Sequence, residues 1–255
     1  MPLVSSHPAG QPIWLDLQTK DAAGARAFYA AVLGWTYEEQ APEYGGYAVA
    51  HKDGAVAAGI GQQEAGATYP SAWSVYFGVT DADAAGAKIT AAGGSVMMPT
   101  MTVGDQGRMA MCADPTGAVF GVWEPIKHWG AECVNQPGAM VWTEVNTRDA
   151  AKASAFYSKV FGLRVEVMDM QGTPYHMLYN AANEPACGVL QMNEQWGDMP
   201  PHWMAYFGVK SAEDAKAAVE AGGGKVHYGP FDTPHGRMIV VGDPQGAAIS
   251  FITAG

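Results

Sequence analysis

Two stretches of the chain carry the same alternation of apolar and polar positions, and everything else can be laid out around them. In Trp14-Leu-Asp16-Leu-Gln-Thr19, Leu15 and Leu17 fall on one face and Trp14, Asp16 and Gln18 on the other, the period of a β-strand. Helical periodicity follows: Ala25, Phe28, Tyr29 and Val32 recur at i, i+3, i+4, i+7. Asp21 is a suitable N-cap, because its short carboxylate can accept from the free amides of the first turn. Gly34 suits a left-handed helix terminus. The series returns as Trp142-Thr-Glu144-Val-Asn-Thr147, with Asp149, then Ala153, Phe156, Tyr157 and Val160, then Gly162. In that second strand Thr143 and Val145 face the helix, and Trp142, Glu144 and Asn146 face away.

The repeat extends through both halves at an offset of roughly 128–130 residues, a tandem duplication. Strand candidates Tyr47–Ala50 and Ala55–Gln62 are matched by Tyr175–Tyr179 and Ala186–Gln191. Trp73-Ser-Val-Tyr-Phe-Gly-Val79 is matched by Trp203-Met-Ala-Tyr-Phe-Gly-Val209. Small-residue helices then stop at Gly93-Gly94 and at Gly222-Gly223-Gly224. The closing strand pairs are joined by Asp114-Pro-Thr-Gly117 and Asp243-Pro-Gln-Gly246, which suit type I turns. Each half therefore reads as two β-α-β-β-β units, and the fold as α+β with two similar domains, residues 10–125 and 139–255. Residues 126–138 read as a linker, with His128, Trp129 and Cys133 expected to pack across the junction.

On the faces turned away from the helices, alternation gathers Trp14, Asp16, Ser74, Tyr76 and Trp123 in the first half. It gathers Trp142, Glu144, Met204 and Tyr206 in the second, and this mixture of indole, thioether and phenol around one acid makes the second concavity the slightly favoured site. A tryptophan beside a carboxylate suits neither a core face nor a plain solvated one; it suits the lining of a concavity that takes an organic ligand. Asp16 and Glu144 are the candidate acid/base groups, since burial beside tryptophan raises a carboxyl's pKa. Arg108 and Arg237, each in Gly-Arg-Met, could neutralise those acids, hold an anionic ligand or make structural ion pairs.

Composition narrows the partners. A formal charge of −11 argues against nucleic acid and anionic membrane surfaces. No run approaches the ~18 apolar residues of a membrane span, and the N-terminus lacks the pattern of a secretory signal. Cys112, Cys133 and Cys187 lie far apart, as expected of buried thiols in a reducing compartment, so a cytoplasmic monomer or homodimer is expected. The seven histidines include no tight pair of metal-ligand spacing; His202 could reach the rim of the second concavity.

With Thr19-x-Asp21…Phe28-Tyr29…Leu33-Gly34, Val79-x-Asp81, Gly107-Arg108…Asp114-Pro-x-Gly117 and their repeats in view, the chain resembles the vicinal oxygen chelate superfamily. That superfamily groups glyoxalase I, bleomycin-resistance proteins and extradiol dioxygenases. The resemblance implies curved sheets around cups, and in the family's enzymes a metal on the cup floor held by His, Glu or Gln. Those positions map here onto Trp14, about Gly59, Ser74 and Gly121, and onto Trp142, about Gly188, Met204 and Ser250. None is a usual ligand for such a metal. The expectation is a small-molecule-binding protein of this type with no metal and no cofactor. A metal-independent lyase, isomerase or hydrolase using Glu144 or Asp16 is the alternative, and a metal enzyme with displaced ligands stands behind it.

Overall fold

The alternation in the two Trp-led stretches is realised as a pair of equivalent strands, each near the middle of its own sheet. A computed structural model describes residues 3–41, 44–170 and 172–253. The first half runs β1 (Pro12–Thr19), α1 (Ala22–Leu33), β2 (Thr36–Glu39), β3 (Ala48–Lys52), β4 (Ala55–Gln62), β5 (Ala72–Gly78), α2 (Ala82–Ala91), β6 (Ser95–Val103), β7 (Gly107–Ala113) and β8 (Val119–Pro125). The second half repeats it as β9 (Met140–Thr147), α3 (Ala150–Phe161), β10 (Arg164–Met170), β11 (Thr173–Tyr179), β12 (Pro185–Gln191), β13 (His202–Val209), α4 (Ala212–Ala221), β14 (Lys225–Thr233), β15 (Gly236–Gly242) and β16 (Ala248–Thr253).

Each half forms one eight-stranded sheet, ordered β2-β3-β4-β1-β5-β8-β7-β6 and β10-β11-β12-β9-β13-β16-β15-β14. The order is two β-α-β-β-β units joined side by side through β1 against β5 and β9 against β13, both antiparallel. The helix ends follow the expected chemistry. Asp21 and Asp149 accept from Gly24 N and Lys152 N, each at 2.9 Å, and Gly34 and Gly162 take φ of 71° and 73°. Among the described residues no helix is long and apolar enough to cross a membrane.

The helix-bearing faces of the two sheets meet, and their buried residues form a single core. Leu15, Leu17, Trp73, Val75 and Phe77 of the first half join Val145, Trp203, Ala205 and Phe207 of the second. The ring of Phe77 stacks on Phe161 at 4.3 Å and meets Trp203 edge-on, while Trp35 meets Phe207 at 5.1 Å. Phe28 of α1 packs over Gly222 and Gly224, and Phe156 of α3 over Gly94. A Cβ on Gly222, Gly224 or Gly94 would stand 2.9 Å from the facing ring, so these glycines make room for the neighbouring half as well as ending helices.

Two hydrogen-bonded relays cross the same interface. Trp73 Nε1 donates to Tyr29 Oη at 2.9 Å, and Tyr29 donates to Asp243 at 3.0 Å. Reciprocally, Trp203 Nε1 donates to Tyr157 Oη at 2.9 Å, and Tyr157 donates to Asp114 at 2.9 Å. Both aspartates open the Asp-Pro turns read from the sequence. Their other oxygen accepts turn amides, from Thr116 and Gly117 for Asp114 and from Gln245 and Ala247 for Asp243.

The connecting segment departs from expectation in where its side chains go. Ala131 N bonds Ile13 O, and Glu132 N and Cys133 N bond Val56 O, which draws the segment over the first sheet. Cys133 enters the shared core, but His128 packs against Trp14 of the first half and Trp129 is 53% exposed.

Tyr157→Phe should lower stability by about 1–3 kcal/mol, because it strands Trp203 Nε1 and one oxygen of Asp114 in a dry interface. Because the core is shared, the halves should unfold in one calorimetric transition. A urea midpoint that does not move, or two separate transitions, would contradict the interface described here.

Candidate functional site

The concave side of the first sheet is built from side chains that alternation turns away from the helices. Trp14, Tyr76 and Trp123 form a cluster separate from the main core, with Met109 and Met111 packed beside it. Over this floor lies a cavity of about 1140 Å³, whose walls include Trp14, Asp16, Ser74, Tyr76 and Trp123. The five first-half residues that alternation gathered on this face therefore line one space.

At its floor Asp16 is 5% exposed. Its carboxylate accepts from Gln18 Nε2 at 3.2 and 3.3 Å. Burial pushes its pKa from 3.8 up to about 6, with Gln18 and the Tyr47 phenol acting in the opposite direction. Tyr47 also takes a bond from Trp14 Nε1 at 3.2 Å, so tryptophan, phenol and acid are joined around the floor.

His128, delivered by the connecting segment, closes one wall. Its ring meets Trp14 edge-on at 4.3 Å, and its carbonyl accepts from Trp123 Nε1 at 2.8 Å. The buried Nε2 has no partner among the described residues, and burial lowers the ring's pKa to about 4, so the imidazole is neutral. Lys127 at the cavity's edge is paired with Asp105.

The second cup repeats the plan with different contacts. Glu144, 6% exposed, accepts from Tyr175 at 2.8 Å and from Tyr206 at 2.7 Å, and Trp142 Nε1 donates to Tyr175 at 2.9 Å. Burial raises the Glu144 pKa, and the two phenols oppose the rise. Met204 is buried opposite Glu144 across the β9–β13 pairing. His202 reaches Asn146, at 3.2 Å, and also borders the first-half cavity.

The two arginines stand apart from the cups. Arg108 pairs with Asp83 at 2.5 Å and Glu124 at 2.9 Å, and Arg237 with Glu213 at 2.5 Å and Asp232 at 2.9 Å. Each strand's alternation explains this for Arg108: its neighbours Met109 and Met111 line the cavity and it does not. Sequence reading put Gln18 on the face of Trp14 and Asp16 and His128 in the linker, but gave neither of them, nor Tyr47 and Tyr175, a role in the site. A signal for the two tyrosines existed, since Tyr175 follows Tyr47 by the same 128 residues that separate Trp142 from Trp14. For His128 there was none, because the connecting segment has no counterpart in the repeat.

The residues of the floor do not fit the divalent metal that the resemblance implies. The positions onto which the resemblance maps that metal carry Trp14, about Gly59, Ser74 and Gly121 in one cup and Trp142, about Gly188, Met204 and Ser250 in the other. Both oxygens of Glu144 are taken by phenols, and among the described residues no three His, Cys, Asp or Glu side chains converge as a metal site would require.

Comparison with known proteins agrees with the duplication. The model of the Glyoxalase/Bleomycin resistance protein/Dioxygenase superfamily matches residues 11–122 and again 130–251. The chain is 37% identical over 257 residues to the protein named "Putative glyoxylase CFP32" of Mycobacterium tuberculosis, covering 99% of this chain and 98% of that one. It is 34% identical to Anthracycline biosynthesis protein DauV of Streptomyces sp. (strain C5), covering 95% and 93%. In fold it is similar to the Mn(II)-bound glyoxalase from Novosphingobium aromaticivorans, with TM-score 0.65, 17% identity, and 96% and 82% coverage. It is likewise similar to 2,2',3-trihydroxybiphenyl 1,2-dioxygenase from Sphingomonas wittichii, with TM-score 0.66, 16% identity, and 97% and 91% coverage.

Burying Asp16 has a consequence for stability. Between its unfolded value of 3.8 and its folded value of about 6, the folded chain holds the proton more tightly. Stability therefore falls as pH rises through that window and stays lower above it. Asp16→Asn should be more stable than the parent at pH 8, by about 1–3 kcal/mol, and nearly equal to it at pH 4. Thermal melts at the two pH values test this; a difference independent of pH would show that the acid is not desolvated.

Proposed function

Because the chain belongs to the Glyoxalase/Bleomycin resistance protein/Dioxygenase superfamily, we propose its function from the chemistry of the first cup. It binds a flat, largely apolar small molecule there without a divalent metal, and Asp16 is the polar group the ligand meets. The observation that carries this reading is the cavity of about 1140 Å³ laid over a tryptophan–tyrosine floor with one buried acid in it.

The wall chemistry supports the ligand class. Trp14, Tyr76 and Trp123 offer rigid aromatic area at little entropic cost, and Met109 and Met111 adapt to an irregular outline. Lys127 is already paired, which disfavours an anionic ligand. Relatives named for anthracycline biosynthesis and as a glyoxylase are consistent with a small organic molecule in this cup. The absence of suitable donors at the family's metal positions supports binding without metal.

A second reading follows from one further observation. Burial lifts the Asp16 pKa to about 6, and His128, a neutral imidazole whose buried Nε2 has no partner among the described residues, lines the same cavity. Such a pair could move a proton on a bound substrate, as a metal-independent lyase, isomerase or hydrolase does, with Asp16 as the acid/base group. Glu144, held by two phenols, is less free to take that role.

Titration of tryptophan fluorescence with flat aromatic compounds, with and without chelator, tests the first reading. Saturable binding should be unaffected by chelation, and Trp14→Ala or Trp123→Ala should weaken it at least ten-fold. Asp16→Asn should cost about 1.5–3 kcal/mol of affinity if the acid only binds. If it is catalytic, turnover is lost while affinity stays nearly intact. Near-stoichiometric metal in the purified protein, with binding lost on chelation, would overturn the metal-free reading.

A further inference from the structure

The two cups are unequal copies, and the difference is concentrated at the middle of each floor. Across β4, β1 and β5 the central row is Gly59, Asp16 and Ser74. Across β12, β9 and β13 it is Gly188, Glu144 and Met204. The glycine is common to both for one reason: a Cβ on Gly59 would stand 1.7 Å from Tyr47 Oη, and one on Gly188 would stand 1.9 Å from Tyr175 Oη. The other two positions have diverged in bulk.

The extra methylene of Glu144 carries its carboxylate between two phenols, so that each oxygen accepts a short bond, from Tyr175 at 2.8 Å and from Tyr206 at 2.7 Å. Asp16 is one carbon shorter. It takes longer bonds from Gln18, at 3.2 and 3.3 Å, and stays on the cavity wall. Beside the acid, Met204 is 6% exposed where Ser74 leaves open space.

A third difference acts in the same direction. The ring of Tyr76 lies so close over Gly121 that a Cβ there would meet it at 2.2 Å. The equivalent partner of Tyr206 is Ser250, whose side chain takes that place, and the Tyr206 hydroxyl turns onto Glu144. A ligand entering the second cup would have to break two hydrogen bonds to a carboxylate, the stronger kind.

We propose that the protein works through one cup. Glu144 and Met204 form a built-in plug that occupies, in the second cup, the place a ligand takes in the first. Asp16 and Ser74 are the pair that keeps the first cup open. The inference rests on the reading of the first cup as the ligand site.

Nile red, an uncharged flat dye, serves as the probe, with bound equivalents counted by native mass spectrometry and by fluorescence titration. The parent chain should bind one equivalent, and Glu144→Asp/Met204→Ser should bind two. Ser74→Met, which fills the first floor without replacing either acid, should weaken binding in the parent chain at least ten-fold. Thermal melts show whether each variant is folded. Should the double variant fail to fold, the Ser74→Met comparison decides alone, and unchanged affinity there overturns the inference. Two equivalents in the parent, or one in the folded double variant, also overturn it while leaving the first cup a ligand site. No binding by the parent overturns the reading of the first cup and this inference with it.

Discussion

The structure depends on the reciprocal relay in which a helix tyrosine of one half reaches the turn aspartate of the other. Each aspartate does two jobs at once: one oxygen holds its own Asp-Pro turn together and the other accepts the phenol across the interface. The phenol in turn accepts from a tryptophan on the central strand of its own half. A closing turn, a helix and a central strand are thereby tied into one unit, and the tie is made twice. Hydrogen bonds of this kind contribute modestly when made but are costly to leave unmade in a dry interface. Their main effect is to fix how the halves are set against each other.

That setting decides what remains for function. Once the helix-bearing faces are buried against one another, the polar positions of the central strands are left to line the concave sides. Trp14 and Asp16 are thus on the concave face because Leu15 and Leu17 are in the core. The cost of placing an acid there is visible in its raised pKa, since burial disfavours its charge and Gln18 returns only part of the solvation lost. An acid kept in a site that destabilises its ionised form is a common mark of a functional position, because structure alone would be served by an amide.

Much of this was legible in the sequence. Alternation sorted Trp14, Asp16, Ser74, Tyr76 and Trp123 onto one face, and the helical spacing of Phe28, Tyr29, Phe156 and Tyr157 marked the buried stripes. Period and capping are local properties, which is why they can be read along the chain. What those tyrosines touch is not local: Tyr29 and Asp243 are 214 residues apart, and nothing in either motif announces the other. The arginines were ambiguous for a related reason. Gly-Arg-Met looks the same whether its guanidinium faces a cup or a helix N-terminus, and the acids that claim it, Asp83 and Glu213, lie on the helices.

The connecting segment shows why a duplicated fold need not keep duplicate sites. Two copies can share every strand and helix, but the stretch that joins them exists once. Here it is drawn over the first sheet by backbone bonds to Ile13 and Val56, and it gives that cup a wall containing His128. With one copy enclosed in this way, the other is no longer held to the same floor. A longer acid, a methionine and a serine can then stand at Glu144, Met204 and Ser250, with the acid held by two phenols and the methionine buried where a ligand would otherwise have to fit. The second half still supplies Trp203, Tyr157 and Asp243 to the interface, so it stays indispensable to the fold whatever its cup holds.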